Sequence, residues 1–88
     1  MRDVGELPNI GKRIEEELKA VGIGTDEDLA AAGAVGALLR INGFLFDEGC
    51  LNKLYALEGA IQGLRWHFLD KERKEALKLE YRGKCGRT

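Results

Sequence analysis

Apolar residues in this chain recur at intervals of three and four, and no segment alternates convincingly with period two. That spacing predicts helices throughout and an all-α fold. The first helix is expected to open at residues 10–12 and run to Val21. Ile10, Ile14, Leu18 and Val21 make its apolar stripe, while Lys12, Arg13, Glu15, Glu16, Glu17 and Lys19 fall mostly on the other face. Gly22 suits the left-handed residue just past a helix end. Ile23 then lies where it can fold back on Leu18, as in a Schellman stop.

Thr25 is a good N-cap, with Asp26, Glu27 and Asp28 in the first turn, and Thr25 and Asp28 stand at capping-box spacing. The short second helix is expected to stop at Gly33. A third spans about residues 35–41 and ends at Asn42-Gly43. Residues 44–49 read as a loop whose Phe44 and Phe46 tuck into the core. The longest helix is expected over residues 51–65, with Leu54, Leu57, Ile61, Leu64 and Phe68 in one apolar seam. Beside that seam lie Ala56, Gly59, Ala60 and Gly63. Interior glycines cost about 1 kcal/mol each relative to alanine, so close approach of another helix is the expected offset. A last helix is expected from Asp70 to about Tyr81, with Ala76, Leu77 and Leu69 supplying its buried face and Gly83 past its end. The reading is a single domain over residues 1–88 with five helices. Its N-terminal half is of helix-hairpin-helix type, its ordered core covers residues 5–82, and its tail at 83–88 is disordered.

Size and charge narrow the partners. Eighty-eight residues can form one modest core. No apolar run reaches the roughly 18 residues of a membrane span, and the acidic, polar N-terminus does not read as a signal peptide. A cytoplasmic protein with no membrane partner is expected. Net charge is −1, but residues 1–48 carry five bases against ten acids and residues 49–88 nine against five. The bases of the last helix are interleaved with acids, which is the pattern of a solvated face.

Little in the sequence points to catalysis. Serine is absent and His67 is the one histidine. Glu58 stands among apolar neighbours without a visible partner, the usual setting of a structural hydrogen bonder. Cys50 and Cys85 lack metal-ligand spacing and read as reduced thiols. No enzyme activity, cofactor, metal or small-molecule substrate is expected.

One segment does carry chemistry. In Pro8-Asn9-Ile10-Gly11, proline bends the entry, asparagine tolerates a left-handed backbone, and glycine leaves room at a helix start. Lys12 and Arg13 add positive charge at the same end. Asn9, Ile10, Gly11, Lys12 and Arg13 are therefore the candidate nucleic-acid-binding residues, contacting phosphate rather than base edges. A tight turn joining two packed helices would use the same residues, and Glu15, Glu16 and Glu17 weaken the field.

The segments Leu7-Pro8-Asn9-Ile10-Gly11, Val21-Gly22-Ile23-Gly24-Thr25, Asp28-Leu29 and Gly33-Ala34 resemble the start of the TfoX C-terminal domain. Leu51-Asn52-Lys53-Leu54-Tyr55-Ala56-Leu57-Glu58-Gly59-Ala60-Ile61-Gln62-Gly63, followed by Trp66, resembles its second half. The likeness covers roughly residues 5–80. It implies a helical bacterial domain with a role in transcription regulation of competence, here as a stand-alone copy without the N-terminal TfoX domain. DNA is the partner it implies. The alternative is a protein-protein interaction module, docking on a transcription-related protein or forming a homodimer through residues 44–46 or the small-residue helix face.

Overall fold

The computed structural model describes residues 1–43 and 48–85, and the expected tucking of Phe44 and Phe46 lies outside them. The helical spans among the described residues are α1 (Lys12–Ala20), α2 (Asp26–Asn42), α3 (Leu51–Gln62) and α4 (Lys71–Lys84). Short 3-10 turns stand at Val4–Glu6, Glu48–Cys50 and Trp66–Phe68. The expected second and third helices are the two halves of α2, which a non-helical residue divides. That residue is Gly33, with φ 76° and ψ 162°, so the helical stretch from Asp26 stops where the sequence places its stop and a second stretch follows to Asn42.

The Schellman stop after α1 is formed. Ile23 N–H donates to Leu18 O at 2.9 Å, Gly22 N–H donates to Lys19 O at 3.1 Å, and Gly22 has φ 87°. Leu18 and Ile23 are both fully buried. Thr25 caps α2 by accepting from Asp28 N–H at 3.1 Å, while Asp28 reaches back one residue further than a capping box, to Gly24 N–H at 3.3 Å.

The first residues pack on the rest of the domain. Val4 N–H donates to Gly24 O and Asp26 N–H to Arg2 O, so the first residues lie against the α1–α2 connection, with Asp3 and Thr25 in an isolated antiparallel bridge. Val4 is fully buried. Asp3 sits below the usual carboxylate range because it accepts from Gly5 N–H and then from Lys19. Asp26 is lowered first by the N–H of Arg2.

The core is built by α2 and α3. Leu29, Leu38, Leu54 and Leu57 are fully buried, with Leu18 from α1 and Leu77 and Tyr81 from α4 closing the sides. Two expectations about α4 change. Ala76 is exposed and Tyr81 is the large buried anchor, its hydroxyl 3.2 Å from Asn42 Nδ2. The helix also continues through Gly83 to Lys84, and Cys85 joins the core.

Candidate functional site: the hairpin and the aromatic turn

The end of α3 shapes the site. Gly63 has φ 77°, Leu64 N–H donates to Gly59 O at 2.8 Å, and Gly63 N–H donates to Ala60 O at 3.3 Å. This is a second Schellman stop, so α3 ends at Gln62 and not at residue 65. Leu64 and Phe68 consequently leave the expected apolar seam and are 38% and 68% exposed.

Asn9 fills the space this reversal creates. Its φ of 69° makes it the one non-glycine residue in the left-handed region among the described residues. Asn9 Nδ2 donates to Leu64 O at 2.7 Å and Ala56 O at 3.4 Å, and its Oδ1 accepts from Trp66 N–H at 3.1 Å. A side-chain amide thus pairs both kinds of backbone group that the end of α3 would otherwise leave open. Gly59 makes the approach possible. A Cβ there would lie 2.5 Å from Asn9 Nδ2 and 2.7 Å from Leu64 O. Gly59 on the small-residue face of α3 is therefore covered by the chain's own hairpin and reversal.

The five hairpin residues separate into two groups. Asn9 is spent on the clamp and Ile10 is buried in the core. Gly11, Lys12 and Arg13 are exposed. Gly11 precedes α1 in ordinary extended backbone (φ −82°), and a Cβ on it would meet nothing within 4 Å. No side chain caps the first turn of α1, which leaves its amides facing solvent. Arg13 makes a loose pair with Glu17 at 3.7 Å, and Lys53 holds the other carboxylate oxygen of Glu17 at 2.8 Å. A groove of about 300 Å³ beside Leu7 and Pro8 is lined by charges of both signs, Arg2 with Asp26 and Glu27.

The aromatic turn lies directly against this hairpin through Asn9. Trp66 stacks on Tyr55 with ring centres 6.5 Å apart, and Lys74 Nζ sits 5.0 Å from the Trp66 ring and 5.6 Å from Tyr55. The Tyr55 phenol is raised by burial and then by Glu75. His67 lies between Trp66 and Phe68, with ring centres at 5.9 and 4.8 Å. The hairpin motif did not disclose this cluster. The signal available was Gly63 in the position that Gly22 holds after α1.

The remaining titratable candidates are accounted for. The buried Glu58 carboxylate accepts from Arg73 Nε at 3.0 Å and Gln62 Nε2 at 2.6 Å. Cys50 and Cys85 are free thiols. Among the described residues no group of His, Cys, Asp and Glu is placed to hold a metal ion, and no helix is long and apolar enough to cross a membrane.

The sequence and this architecture agree with a known class of helical domain. The sequence pattern of the TfoX C-terminal domain matches residues 1–81, and the chain belongs to that family. The fold is also seen in a crystal structure of an uncharacterized protein from Listeria monocytogenes (triclinic form). That chain is 44% identical, with a TM-score of 0.82, covering 92% of this chain and 91% of that one. A tetragonal form of a Listeria monocytogenes protein of unknown function is 43% identical with a TM-score of 0.80, covering 92% and 98%. No curated protein matches.

Proposed function

We propose that this TfoX C-terminal domain is a non-catalytic regulatory module of the bacterial cytoplasm. In this reading it contacts the phosphate backbone of DNA through the hairpin at residues 8–13, in transcriptional control of competence. The observation that carries the reading is Gly11. Its backbone angles suit any residue, nothing packs on it, and serine or aspartate would cap α1 better. An uncapped helix start beside Lys12 and Arg13 presents amides and positive charge to an anion. Asn9 and Ile10 serve the same site indirectly, by fixing the hairpin to α3 and the core.

Fluorescence anisotropy with labelled DNA across a salt series tests it. Affinity is expected to fall steeply with salt, since phosphate contacts release counterions. Gly11→Glu and a Lys12→Ala/Arg13→Ala double variant are expected to lose most of that affinity while staying folded. Unchanged binding in both would remove the hairpin from the site. A second reading, docking on a transcription-related protein, is favoured by the exposed Leu64, Trp66 and Phe68. It predicts no salt-sensitive DNA binding.

A further inference from the structure

We propose that Lys53 is a positioning residue of the hairpin's phosphate seat: by holding Glu17 it keeps the Arg13 guanidinium free for a phosphate. The inference rests on the hairpin reading and names what controls the charge of that site. The start of α1 is built against its own stability. Lys12 and Arg13 are its first two residues, and Gly11 gives it no side-chain cap. Cations there face the positive end of the helix dipole. The start of α2 shows the stabilising alternative in the same chain, with Thr25 as cap and Asp26, Glu27 and Asp28 in the first turn. An anion bound at the start of α1 would answer both the bare amides and the two cations.

The three glutamates that follow would cancel such a site, and the fold answers two of them with lysines. Lys19 takes Glu15 at 2.9 Å and Asp3 at 3.0 Å. Glu16 is exposed. Glu17 stands one turn after Arg13, where the two can pair along the helix. Arg13 Nε nevertheless lies 3.7 Å from Glu17 Oε2, beyond a hydrogen bond, and the Arg13 side chain is 89% exposed. Lys53 reaches in from α3 and donates to Glu17 Oε1 at 2.8 Å, with both side chains mostly buried. A sheltered pair is screened less by water and salt than an exposed one, so Lys53 wins the carboxylate. Without Lys53, the partner left to Glu17 is Arg13, the cation that a phosphate needs.

The test is a double-mutant cycle on the full chain, read by anisotropy with a labelled DNA duplex at low salt and across a salt series. Lys53→Met keeps an apolar stem and removes the charge. It is expected to weaken binding about fivefold and to lower the salt slope by about one phosphate contact. Glu17→Gln removes the competitor and is expected to bind at least as tightly as the wild type. Adding Lys53→Met to Glu17→Gln is expected to change affinity less than about twofold, because Lys53 then has no carboxylate to hold. Lys53→Arg, which keeps the charge, should bind like the wild type. An equal loss from Lys53→Met with and without Glu17→Gln would overturn the proposal, since Lys53 would then act by its own charge. Unchanged affinity and slope in Lys53→Met would overturn it as well, and either result leaves the hairpin reading standing. Absence of wild-type binding at low salt would overturn both.

Discussion

The chain ends two helices with the same device and uses the two endings differently. After α1, Gly22 turns left-handed and Ile23 folds back on Leu18, so both side chains are lost to solvent. After α3, Gly63 makes the same turn with the same pair of backbone hydrogen bonds. Here the residue that should receive the returning side chain is Gly59, which has none to offer. Leu64 therefore stays exposed, and its carbonyl is taken by Asn9 instead. One motif, with a leucine or a glycine at one position, makes a core element in one place and a surface turn in the other.

Truncations at the two stops sharpen this contrast most. Leu18→Ala is expected to cost about 2–5 kcal/mol, the range for a buried leucine, and Leu64→Ala within about 0.5 kcal/mol. Denaturant midpoints measured on both variants check this, and similar losses would show that Leu64 is packed. Next in size is the clamp. Asn9→Ala removes the hydrogen bonds to the exposed Leu64 carbonyl and Trp66 N–H and is expected to cost about 0.5–1.5 kcal/mol. Gly59→Ala forces out the same amide, so the two losses should not add. A double-mutant cycle is expected to give a coupling above about 0.5 kcal/mol, and strict additivity would refute the shared site.

Of similar size is the glycine stop itself. Gly22→Ala and Gly63→Ala each place a Cβ at a positive φ, expected to cost about 1–2 kcal/mol in thermal unfolding. Neither site crowds the added atom, so the two should cost nearly the same despite their different surroundings. The smallest effect is on pH. Asp3 and Asp26 are lowered when folded, so their contribution is complete above the unfolded carboxylate value near 4. It is lost as pH falls through their lower folded values. Asp3→Asn is expected to flatten the acid limb of a Tm-versus-pH curve and to leave its shape unchanged near neutrality.

The local grammar of the chain was legible where signal and consequence sit within a few residues. The Gly22 stop, the Thr25 cap and the Gly43 end each follow from neighbours in sequence. Gly33 was legible as a break, and so was the helical stretch that follows it to Asn42. The stop at Gly63 is hidden in the sequence because an apolar seam runs through it without a gap: Leu64 and Phe68 keep helical spacing from Leu57 and Ile61. Spacing alone does not record whether the backbone between two apolar residues is still a helix.

For the candidate site the division is sharper. Gly11, Lys12 and Arg13 carry their meaning locally, as an open and positively charged helix start. The partnership of Asn9 with residues 64–66 spans more than fifty positions, and nothing near Asn9 announces it. By itself the sequence determined the helical class, the order of the elements and the family, because helix periodicity and caps are short-range properties. Only the tertiary structure decided which glycine is a stop and which a socket, and that an exposed aromatic turn lies beside the hairpin. Those depend on which backbone groups meet once the helices have packed.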